Sequence, residues 1–376
     1  MENRQRICFC VTNDLVTDQR VLRHARVAAA LGMDVMVVGR QLPESALLND
    51  YPFPAVRFRL PFRSGPLFYA AYNLRLFVFL LGVRCTHIVA NDLDTLPAAY
   101  LAAGLRRLPL IFDSHEYFTG VPELMGRRLV RSIWKGFEKW LVPKVKYRVT
   151  VNDSIAALFE KEYGLKFEVV RNIGEQKTGV VHAGRNELGL PSDKKIIILQ
   201  GSWINVDRGA EEAIEAVVRL EGALLLIIGG GDVFPLLRKR ASEHDCAGKV
   251  KIMDKMPSER LRQYTAHADL GLTLDKDSNI NYRFSLPNKL FDYISAGVPV
   301  LATPMVEVKN IVETYGVGEV TASLEPELLA EQIRNMLNDE NKRHAWKSNL
   351  KKAASQLTWE QEKKKWEAVL NAAVKT

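Results

Sequence analysis

The chain has 376 residues, of which 47% are apolar, and a formal net charge of +8 at pH 7. This length can bury a large core and is long for one domain, so two domains are expected. The four cysteines form no CxxC pair and no zinc-ligand spacing with the seven histidines, which argues against a disulfide scaffold or zinc module and favours a reduced, cytoplasmic protein.

The positive charge lies mostly in the first half of the chain. Residues 1–170 contain 23 Lys and Arg against 16 Asp and Glu. No basic groove with interleaved aromatic residues and no nucleic-acid-reading motif accompanies this charge, so nucleic acid is not an expected partner. An anionic membrane surface or an acidic substrate stays open. The N-terminus leads directly into a strand-like run without a signal-peptide core, which also favours the cytoplasm.

Short runs rich in Val and Ile alternate with helix-like segments along the whole chain. The first series of runs covers 6–11, 34–39, 86–90, 108–112, 147–151 and 167–171. The second series covers 195–200, 223–228, 250–253, 270–274 and 298–302. This alternation predicts two doubly wound parallel α/β sheets, joined by a linker over 172–194.

Segment 66–83 is strongly apolar and close to membrane-spanning length, but Asn73 and Arg75 interrupt it. A central Arg costs about 2.5–3.5 kcal/mol on insertion scales, so a transmembrane helix is rejected.

Segment 126–142 has the pattern of a basic amphipathic helix. One stripe at helical spacing is Arg128, Arg131, Lys135 and Lys139, and the other is Val130, Ile133, Trp134, Phe137, Trp140 and Leu141. Such a helix can lie in a membrane interface, and the alternative is an apolar stripe packed on the sheet. Together with the charge asymmetry, 66–83 and 126–142 favour shallow membrane contact.

Residues just after each strand matter most, because ligands of open α/β sheets bind beyond the carboxyl ends of the strands. In the first half these residues include Asn13, Asp14, Asn91, Asp92 and the run 113–116; in the second they fall in 201–209, 229–232 and 275–281. His115 follows an apolar run by two residues. A lone histidine is usually structural, but its neighbours Asp113, Ser114 and Glu116 favour a functional role.

The stretch 284–304 predicts a helix followed by a buried strand. Ser285 is expected to cap the helix, with Pro287 in its first turn and Gly297 at its end. Asn288 and Lys289 then lie where unpaired N–H groups and the helix dipole favour a phosphate. Asp292, one turn further, suits a ribose hydroxyl. The alternative is a capped amphipathic helix with a solvated Lys and Asp.

Gly229–Gly231 follows a strand and precedes a helix, so its backbone can approach a ligand closely. The run does not match the dinucleotide-binding motif GxGxxG, so it gives only weak support for a dehydrogenase. The pairs Asp92 with Asp94 and Asp275 with Asp277 suggest a divalent metal, but each fits an N-cap and a solvated loop equally well. No metal site is therefore expected.

Four stretches, in this order, support a family resemblance: 113–116, 201–209, 227–232 and 287–299. On them, the chain resembles the retaining, nucleotide-sugar-dependent glycosyltransferases of GT-B fold, family 4 type, over nearly its whole length. The resemblance implies two Rossmann-like, doubly wound parallel-sheet domains facing a cleft. Residues 1–174 would form the acceptor-side domain, with the C-terminal helix 357–376 packed back on it, and 190–356 the nucleotide-sugar domain.

The resemblance also implies roles for single residues. Asp292 matches the carboxylate that holds the ribose, Arg208 a basic residue on the diphosphate, and His115 the histidine that contacts the transferred sugar. This chain departs from the pattern at two positions. Ser202 stands where many family members have a second basic residue, and Phe284 stands where they often have an acidic residue near the sugar. From charge balance we expect Lys289 to supply the missing cation. The remaining expected donor residues are Gly201, Ser202, Gly230, Gly231, Ser285 and Asn288, and the expected acceptor-side residues are Asn13, Asp14, Asn91, Asp92 and Glu116.

The expected activity is therefore transfer of a sugar from a nucleotide diphosphate sugar to a glycan or lipid-linked acceptor, in polysaccharide or cell-envelope synthesis. Neither a cofactor nor a metal is expected, because two cations would already stabilise the departing diphosphate. Two alternatives stay open: a nucleotide-sugar 2-epimerase of the same fold, and a catalytically silent nucleotide-sugar-binding subunit. The expected location is the cytoplasm, at the inner face of the membrane.

Overall fold

The computed structural model describes residues 5–16, 18–43, 45–121, 124, 126–175 and 183–375. The chain divides into two compact units. Unit 1 comprises Met1–Asn172 and Glu360–Thr376, and unit 2 comprises Ile173–Trp359.

Each unit is built on one parallel sheet. Among its described residues, unit 1 has seven strands, in the order β3-β2-β1-β4-β5-β6-β7. They are β1 (Arg6–Cys10), β2 (Asp34–Arg40), β3 (Ala55–Phe58), β4 (His87–Asn91), β5 (Leu110–Ser114), β6 (Tyr147–Thr150) and β7 (Glu168–Val169). In the described part of unit 2 there are six strands, in the order β10-β9-β8-β11-β12-β13. They are β8 (Lys195–Gly201), β9 (Ala223–Gly229), β10 (Val250–Asp254), β11 (Leu270–Thr273), β12 (Val300–Ala302) and β13 (Gly318–Val320).

Helices connect these strands. Those of the first half are α1 (Gln19–Ala30), α2 (Gly65–Gly82), α3 (Leu96–Arg106), α4 (Arg128–Leu141) and α5 (Asp153–Tyr163). Those of unit 2 are α6 (Ala210–Val217), α7 (Phe234–Ala241), α8 (Ser258–Thr265), α9 (Ile280–Arg283), α10 (Asn288–Ser295), α11 (Val306–Tyr315), α12 (Pro326–Asn338) and α13 (Glu340–Gln356). The last helix is α14 (Trp359–Val374).

The prediction of two parallel α/β sheets is confirmed. All residues of β4, β5 and β9 are buried, as expected when helices cover both faces of a sheet. Two short strands, β3 and β13, were missed, because runs of four and three residues give little periodicity. The predicted strand at 298–302 begins two residues later, at Val300.

Helix α14 packs on unit 1. Trp366 is fully buried, and its indole N–H donates to the backbone oxygen of His24 at 3.1 Å. The Trp366 and His24 rings stack with centroids 4.3 Å apart. The end of the chain thereby packs against α1, next to the strands that carry the candidate residues of unit 1.

Helix α2 is long and apolar enough to cross a membrane, judged by length and composition alone. One face, with Phe68, Tyr72, Leu76 and Leu80, is buried in unit 1. The Tyr72 hydroxyl donates to the backbone oxygen of Val11. The opposite face leaves large apolar side chains exposed, and these are Leu67, Leu74, Val78 and Leu81.

Two of the four members of the predicted basic stripe of α4 have partners within unit 1. Lys135 makes ion pairs with Glu138 and Glu162, and Arg131 donates to the backbone oxygen of Thr119 at 2.9 Å. Both cations therefore serve the fold. The members of the apolar stripe differ in exposure: Trp134 is buried, whereas Ile133 and Trp140 are exposed.

Candidate functional site

The candidate site of unit 2 lies at the carboxyl ends of its strands, where the loops after β8 and β9 touch. Ile204 N donates to Gly230 O at 2.6 Å. Gly229 and Gly231 have φ angles of 156° and 140°, and an added Cβ would overlap the backbone of Gly201 at the end of β8 or of Ile204 in the loop after it. Loop packing thus explains both glycines without a ligand.

Gly201 ends β8, and Ser202 after it is exposed. The next residue, Trp203, is exposed to 67%, and the Lys255 ammonium lies 3.4 Å from the centroid of its ring. Lys255 follows β10, and a Cβ on Gly230 would lie 2.7 Å from its Cε. Sequence reasoning missed this cation, because nothing in the residues around it indicates that it reaches across β9.

Asp275 joins the two basic residues expected to bind a diphosphate. Arg208 Nη1 lies 2.9 Å from Asp275 Oδ1, and Lys289 Nζ lies 3.5 Å from Asp275 Oδ2. Burial would raise the pKa of Asp275, but Lys289 and Arg208 outweigh burial and hold that pKa below its ordinary value. Burial lowers the pKa of Lys289, and Asp275 offsets part of this effect. Two cations on one carboxylate leave a local excess of positive charge.

Arg208 is held from a second side by an aromatic ring. Its guanidinium lies 4.0 Å from the centroid of Tyr282. Its Nε is buried and, among the residues described, has no hydrogen-bond partner. Burial lowers and Asp275 raises the pKa of Arg208, and the net effect is a rise. Arg208 is therefore a cation held in place by Asp275 and the Tyr282 ring.

Helix α10 begins one residue after Pro287, which occupies the N-cap position. The prediction that Ser285 caps this helix is wrong, because the chain first makes the separate short helix α9, capped by the Asn279 side chain. The Ser285 hydroxyl is buried without a hydrogen-bond partner in the described part of the chain. Asn288 is exposed on the first turn of α10, where N–H groups lack helical partners.

Asp292 lies one turn into α10, and the side chain of Gln200 fixes its position. Gln200 Nε2 donates to Asp292 Oδ2 at 3.0 Å, and Thr265 Oγ1 donates to Gln200 Oε1 at 2.7 Å. Gln200 immediately precedes Gly201 on β8, so its position at a strand end was the signal that sequence reasoning overlooked.

The helix itself is anchored by the next residue, Tyr293. Its hydroxyl lies 3.2 Å from the backbone oxygens of Ile198 and Leu272, on β8 and β11. A Cβ at Gly271 would lie 2.5 Å from the Tyr293 ring. The small residue on β11 therefore sets how closely α10, with Lys289 and Asp292, approaches the strands.

The candidate site of unit 1 centres on His115, the first residue after β5. Its Nε2 lies 3.2 Å from Asp113 Oδ2 and 3.2 Å from Asn91 Oδ1, and its Nδ1 lies 3.4 Å from Asp92 Oδ2. Burial lowers the pKa of His115, but Asp92 and Asp113 outweigh burial and raise it to about 9. His115 is therefore an imidazolium at neutral pH.

Asp113 also binds α1, through residues that sequence reasoning missed. Arg20 donates to both carboxylate oxygens, at 3.1 and 2.7 Å, and His24 Nδ1 lies 3.1 Å from Oδ2. Burial and then Arg20 lower the pKa of His24 to about 4, so that ring is neutral. Burial would raise the pKa of Asp113, but Arg20, His115 and His24 hold it well below its ordinary value. The helical spacing of Arg20 and His24 was visible, but their partner was not.

The expected acceptor-side residues lie at the carboxyl ends of β1, β4 and β5. Asn91 ends β4 and Asp92 follows it; both contact His115, and Asp92 adopts a positive φ of 61°. Asn13 and Asp14 lie in the loop after β1, where Asp14 Oδ1 pairs with Arg57 at 3.4 Å and Asn13 is exposed. Glu116 follows His115, and its backbone oxygen accepts from the Ser114 hydroxyl at 2.7 Å.

The sequence left a second carboxyl group near Asp92, that of Asp94, as a metal ligand or as part of an N-cap and solvated loop. Asp94 is 5% exposed and accepts a hydrogen bond from Thr12 Oγ1 at 2.5 Å. Burial and then Asp92 raise its pKa to about 7. Within the described residues, no group of three or more His, Cys, Asp and Glu side chains is placed to hold a metal ion.

Both halves of the chain match glycosyltransferase family models. Residues 18–173 match glycosyltransferase family 4, and residues 182–353 match glycosyl transferases group 1. A search of curated proteins gives no significant match.

Solved structures share the fold over nearly the whole chain. Sucrose-phosphate synthase from Thermosynechococcus elongatus matches at 15% identity and a TM-score of 0.78, covering 98% of this chain and 99% of that one. HepE from Anabaena, in complex with UDP and glucose, matches at 16% and 0.75, covering 98% and 100%. WaaG, a glycosyltransferase involved in lipopolysaccharide biosynthesis, matches at 18% and 0.68, covering 96% and 99%. With two glycosyltransferase models matched in tandem and this fold throughout, the chain is a glycosyltransferase of the GT-B fold.

Proposed function

We propose that this glycosyltransferase is a retaining enzyme that moves a sugar from a nucleotide diphosphate sugar to a glycan or lipid-linked acceptor. The observation that carries the proposal is the cluster of Arg208, Asp275 and Lys289 at the first turn of α10. Its excess positive charge and the N–H groups of that turn suit a diphosphate. HepE was solved with UDP and with UDP-glucose, which supports a nucleotide-sugar donor.

In the proposed reaction, an acceptor hydroxyl attacks the anomeric carbon from the face that the diphosphate leaves, as the bond from that carbon to the phosphate oxygen breaks. The bonding electrons leave with the diphosphate, and a phosphate oxygen takes the hydroxyl proton. Positive charge develops on the sugar and negative charge on the leaving group. Arg208 and Lys289 stabilise the leaving group, an electrostatic effect in which one donor is typically worth about 3–4 kcal/mol. Because these cations supply the charge, the proposed transfer needs no metal.

Asp292 is proposed to hold the ribose. Gln200 Nε2 orients its carboxylate by donating to Oδ2 at 3.0 Å. An ionised carboxylate only accepts hydrogen bonds, which suits the donor hydroxyls of a ribose. Gly201, Ser202, Gly230, Gly231, Ser285 and Asn288 complete the proposed donor site.

His115 is proposed to donate a hydrogen bond to the transferred sugar. Its pKa of about 9 keeps both ring nitrogens protonated at neutral pH. The 3.4 Å separation of Nδ1 from Asp92 is long for a hydrogen bond, so this N–H is the one available to a sugar oxygen. Asn13, Asp14, Asn91, Asp92 and Glu116 are the proposed acceptor-side residues.

The proposal extends to shallow contact with the cytoplasmic face of a membrane. Exposed apolar side chains on three neighbouring helices form what we term the α2–α4 apolar surface: Leu67, Leu74, Val78 and Leu81 of α2, Leu101 and Leu105 of α3, and Leu129, Ile133 and Trp140 of α4. Arg128 and Lys139 lie on the same helix α4. Apolar side chains next to cations suit the boundary between acyl chains and headgroups. A lipid-linked acceptor would be reached there.

A thermal-shift panel without added metal tests the donor site. The ligands are UDP, GDP, ADP and their common sugar conjugates, and the proteins are wild type, Asp292→Ala and, as a control, Asp277→Ala. Asp277 is exposed and pairs with Arg283. Ligand binding raises the melting temperature by mass action. We expect one base to shift wild type and the control but not Asp292→Ala; no shift, or an equal shift in Asp292→Ala, contradicts the site.

Product analysis then separates transfer from its alternatives. A transferase releases the nucleoside diphosphate only as the sugar appears on the acceptor, and proton NMR of the anomeric hydrogen shows whether configuration is retained. A 2-epimerase changes the sugar without an acceptor, and a silent subunit binds the donor without turnover.

A further inference from the structure

A cationic pocket lies in unit 1 at the amino ends of β5 and β6. The candidate site of this unit lies at the opposite, carboxyl ends of the strands. The pocket has a volume of about 340 Å³ and is formed by the end of α3, the start of β5 and the segment that leads into β6. Its polar lining side chains are Arg107, Lys144, Lys146, Tyr100 and Tyr147, and no lining residue is Asp or Glu. The pocket therefore favours an anion. The α3 C-terminus contributes about half a negative charge, which the three cations outnumber.

The backbone presents Arg107 in an unusual way. This residue ends α3 in the left-handed conformation, with φ 53° and ψ 46°. Glycine adopts this conformation freely, whereas any other residue is strained in it. An arginine at this helix end is therefore less stable than a glycine would be. It places a guanidinium at the pocket, which glycine could not do.

Aromatic rings hold the two lysines at the pocket. Lys144 Nζ lies 4.9 Å from the centroid of Trp140, and Lys146 Nζ lies 5.1 Å from that of Tyr147. Tyr147 is itself fixed, because its hydroxyl donates to Ala372 O at 2.8 Å. The cations are thus arranged by their neighbours rather than spread at random.

The pocket adjoins the α2–α4 apolar surface. Tyr100 of the pocket and Trp140 of that surface have ring centroids 6.3 Å apart. Leu101 and Leu105, on the helix that ends at the pocket, are exposed to 46% and 70%. A ligand that matches both features carries a phosphate next to apolar chains.

We propose that this pocket binds the phosphate headgroup of an anionic lipid. The inference rests on the proposed membrane contact and adds to it a lipid class and a defined headgroup site. The apolar side chains beside the pocket favour a lipid over free phosphate as the source of the anion. Each cation near an anionic membrane is worth roughly 1 kcal/mol, or about fivefold in affinity.

Vesicle flotation tests the inference on the full chain. One set of vesicles is phosphatidylcholine alone and the other contains phosphatidylglycerol. The test variant is Arg107→Ala/Lys144→Ala/Lys146→Ala. The control, Arg63→Ala/Lys161→Ala/Lys364→Ala, removes the same charge from exposed cations of unit 1 that do not line the pocket. We expect the test variant to lose affinity for anionic vesicles by at least about tenfold. It should bind neutral vesicles as tightly as wild type does. The control variant should lose much less affinity for anionic vesicles.

The outcomes separate this inference from the membrane contact. Equal binding of wild type to neutral and anionic vesicles keeps the membrane contact and overturns the headgroup site. An equal loss in both variants also overturns it, because charge alone would then explain the preference. If inorganic phosphate displaces the protein from vesicles at equal phosphate concentration, the pocket is a free-phosphate site and the lipid assignment is wrong. No flotation at all contradicts both proposals. The melting temperatures of the variants show whether each is folded.

Discussion

Asp113 Oδ2 lies 3.2 Å from Nε2 of His115, two residues along the chain. The same fully buried carboxylate accepts two hydrogen bonds from Arg20. Asp113 therefore joins the first turn of α1 to the ring proposed to meet the sugar. Because both oxygens of Asp113 are engaged, the position of His115 depends on a residue that does not itself face a ligand.

Asp113→Asn is expected to destabilise the protein by about 3–5 kcal/mol, because the buried Arg20 loses its counter-charge. The free energy of unfolding in urea measures this effect. Asp153→Asn is the control, since Asp153 pairs with Arg171 at the surface and such pairs are worth about 0–1 kcal/mol. Equal effects of the two substitutions would show that the Arg20–Asp113 pair contributes no more than a surface ion pair.

The Asp113 cluster shows where sequence reasoning stops. That polar residues follow β4 and β5 could be read directly, since strand order and polarity are local signals. Arg20 lies 93 residues before Asp113, and no periodicity links two such positions. The same limit applies at α4: Lys135 is on the basic stripe, but its partner Glu162 belongs to α5 and could not be read from the stripe. Sequence reasoning therefore predicts the two sheets, and the site at the carboxyl ends of their strands, better than it predicts which charged side chains form pairs there.

The error at Ser285 has a local cause instead. A serine two residues before Pro287 fits a capping pattern, but the backbone N–H of Ser285 bonds to Tyr282 O as part of the turn that ends α9. The short helix α9 was not predicted, because four residues give no apolar period. The proline then takes the N-cap position that the pattern assigned to serine.

The two histidines that contact Asp113, His115 and His24, are expected to titrate far apart, one above and one below neutral pH. The pKa of His115 is raised to about 9, so its contribution to stability is complete below about pH 6.5 and is lost as the pH rises through 9. The pKa of His24 is lowered to about 4, so its contribution is complete above about pH 6.5 and is lost as the pH falls towards 4. NMR titration of the imidazole signals, assigned with His115→Gln and His24→Gln, measures both midpoints. A His115 midpoint near 6.5 contradicts its proposed donor role.

Arg208→Ala and Lys289→Met are each expected to lower kcat about 10²–10³-fold, because each removes a cation from the proposed leaving group. Treatment with EDTA is expected to leave the rate unchanged. Arg283→Ala is the control, since Arg283 is exposed and pairs with Asp277. Steady-state rates with the nucleotide sugar identified by thermal shift provide the measurement. A rate that falls with EDTA and returns with added magnesium would contradict the proposal that these cations suffice.

Leu129→Ser/Ile133→Ser is expected to weaken binding to neutral and anionic vesicles alike. Burying such a side chain contributes about 1.5–3 kcal/mol when complete, so a loss of at least tenfold is expected if both side chains enter the membrane. The control is Leu236→Ser/Leu328→Ser, two exposed leucines of unit 2. Flotation measures the effect, and an unchanged affinity would remove these two residues of α4 from the membrane contact.

Gly271→Ala is expected to destabilise the protein by about 1–3 kcal/mol, because the added methyl would lie 2.5 Å from the Tyr293 ring. Tyr293 anchors α10 to β8 and β11, so its displacement would also move Lys289 and Asp292 and weaken nucleotide binding. Gly136→Ala is the matched control: Gly136 lies within α4 with nothing within 4 Å of an added Cβ, and alanine favours a helix by up to about 1 kcal/mol. Urea unfolding and nucleotide titration measure the two effects. If Gly271→Ala lowers stability but leaves nucleotide affinity unchanged, the position of α10 does not set the donor site.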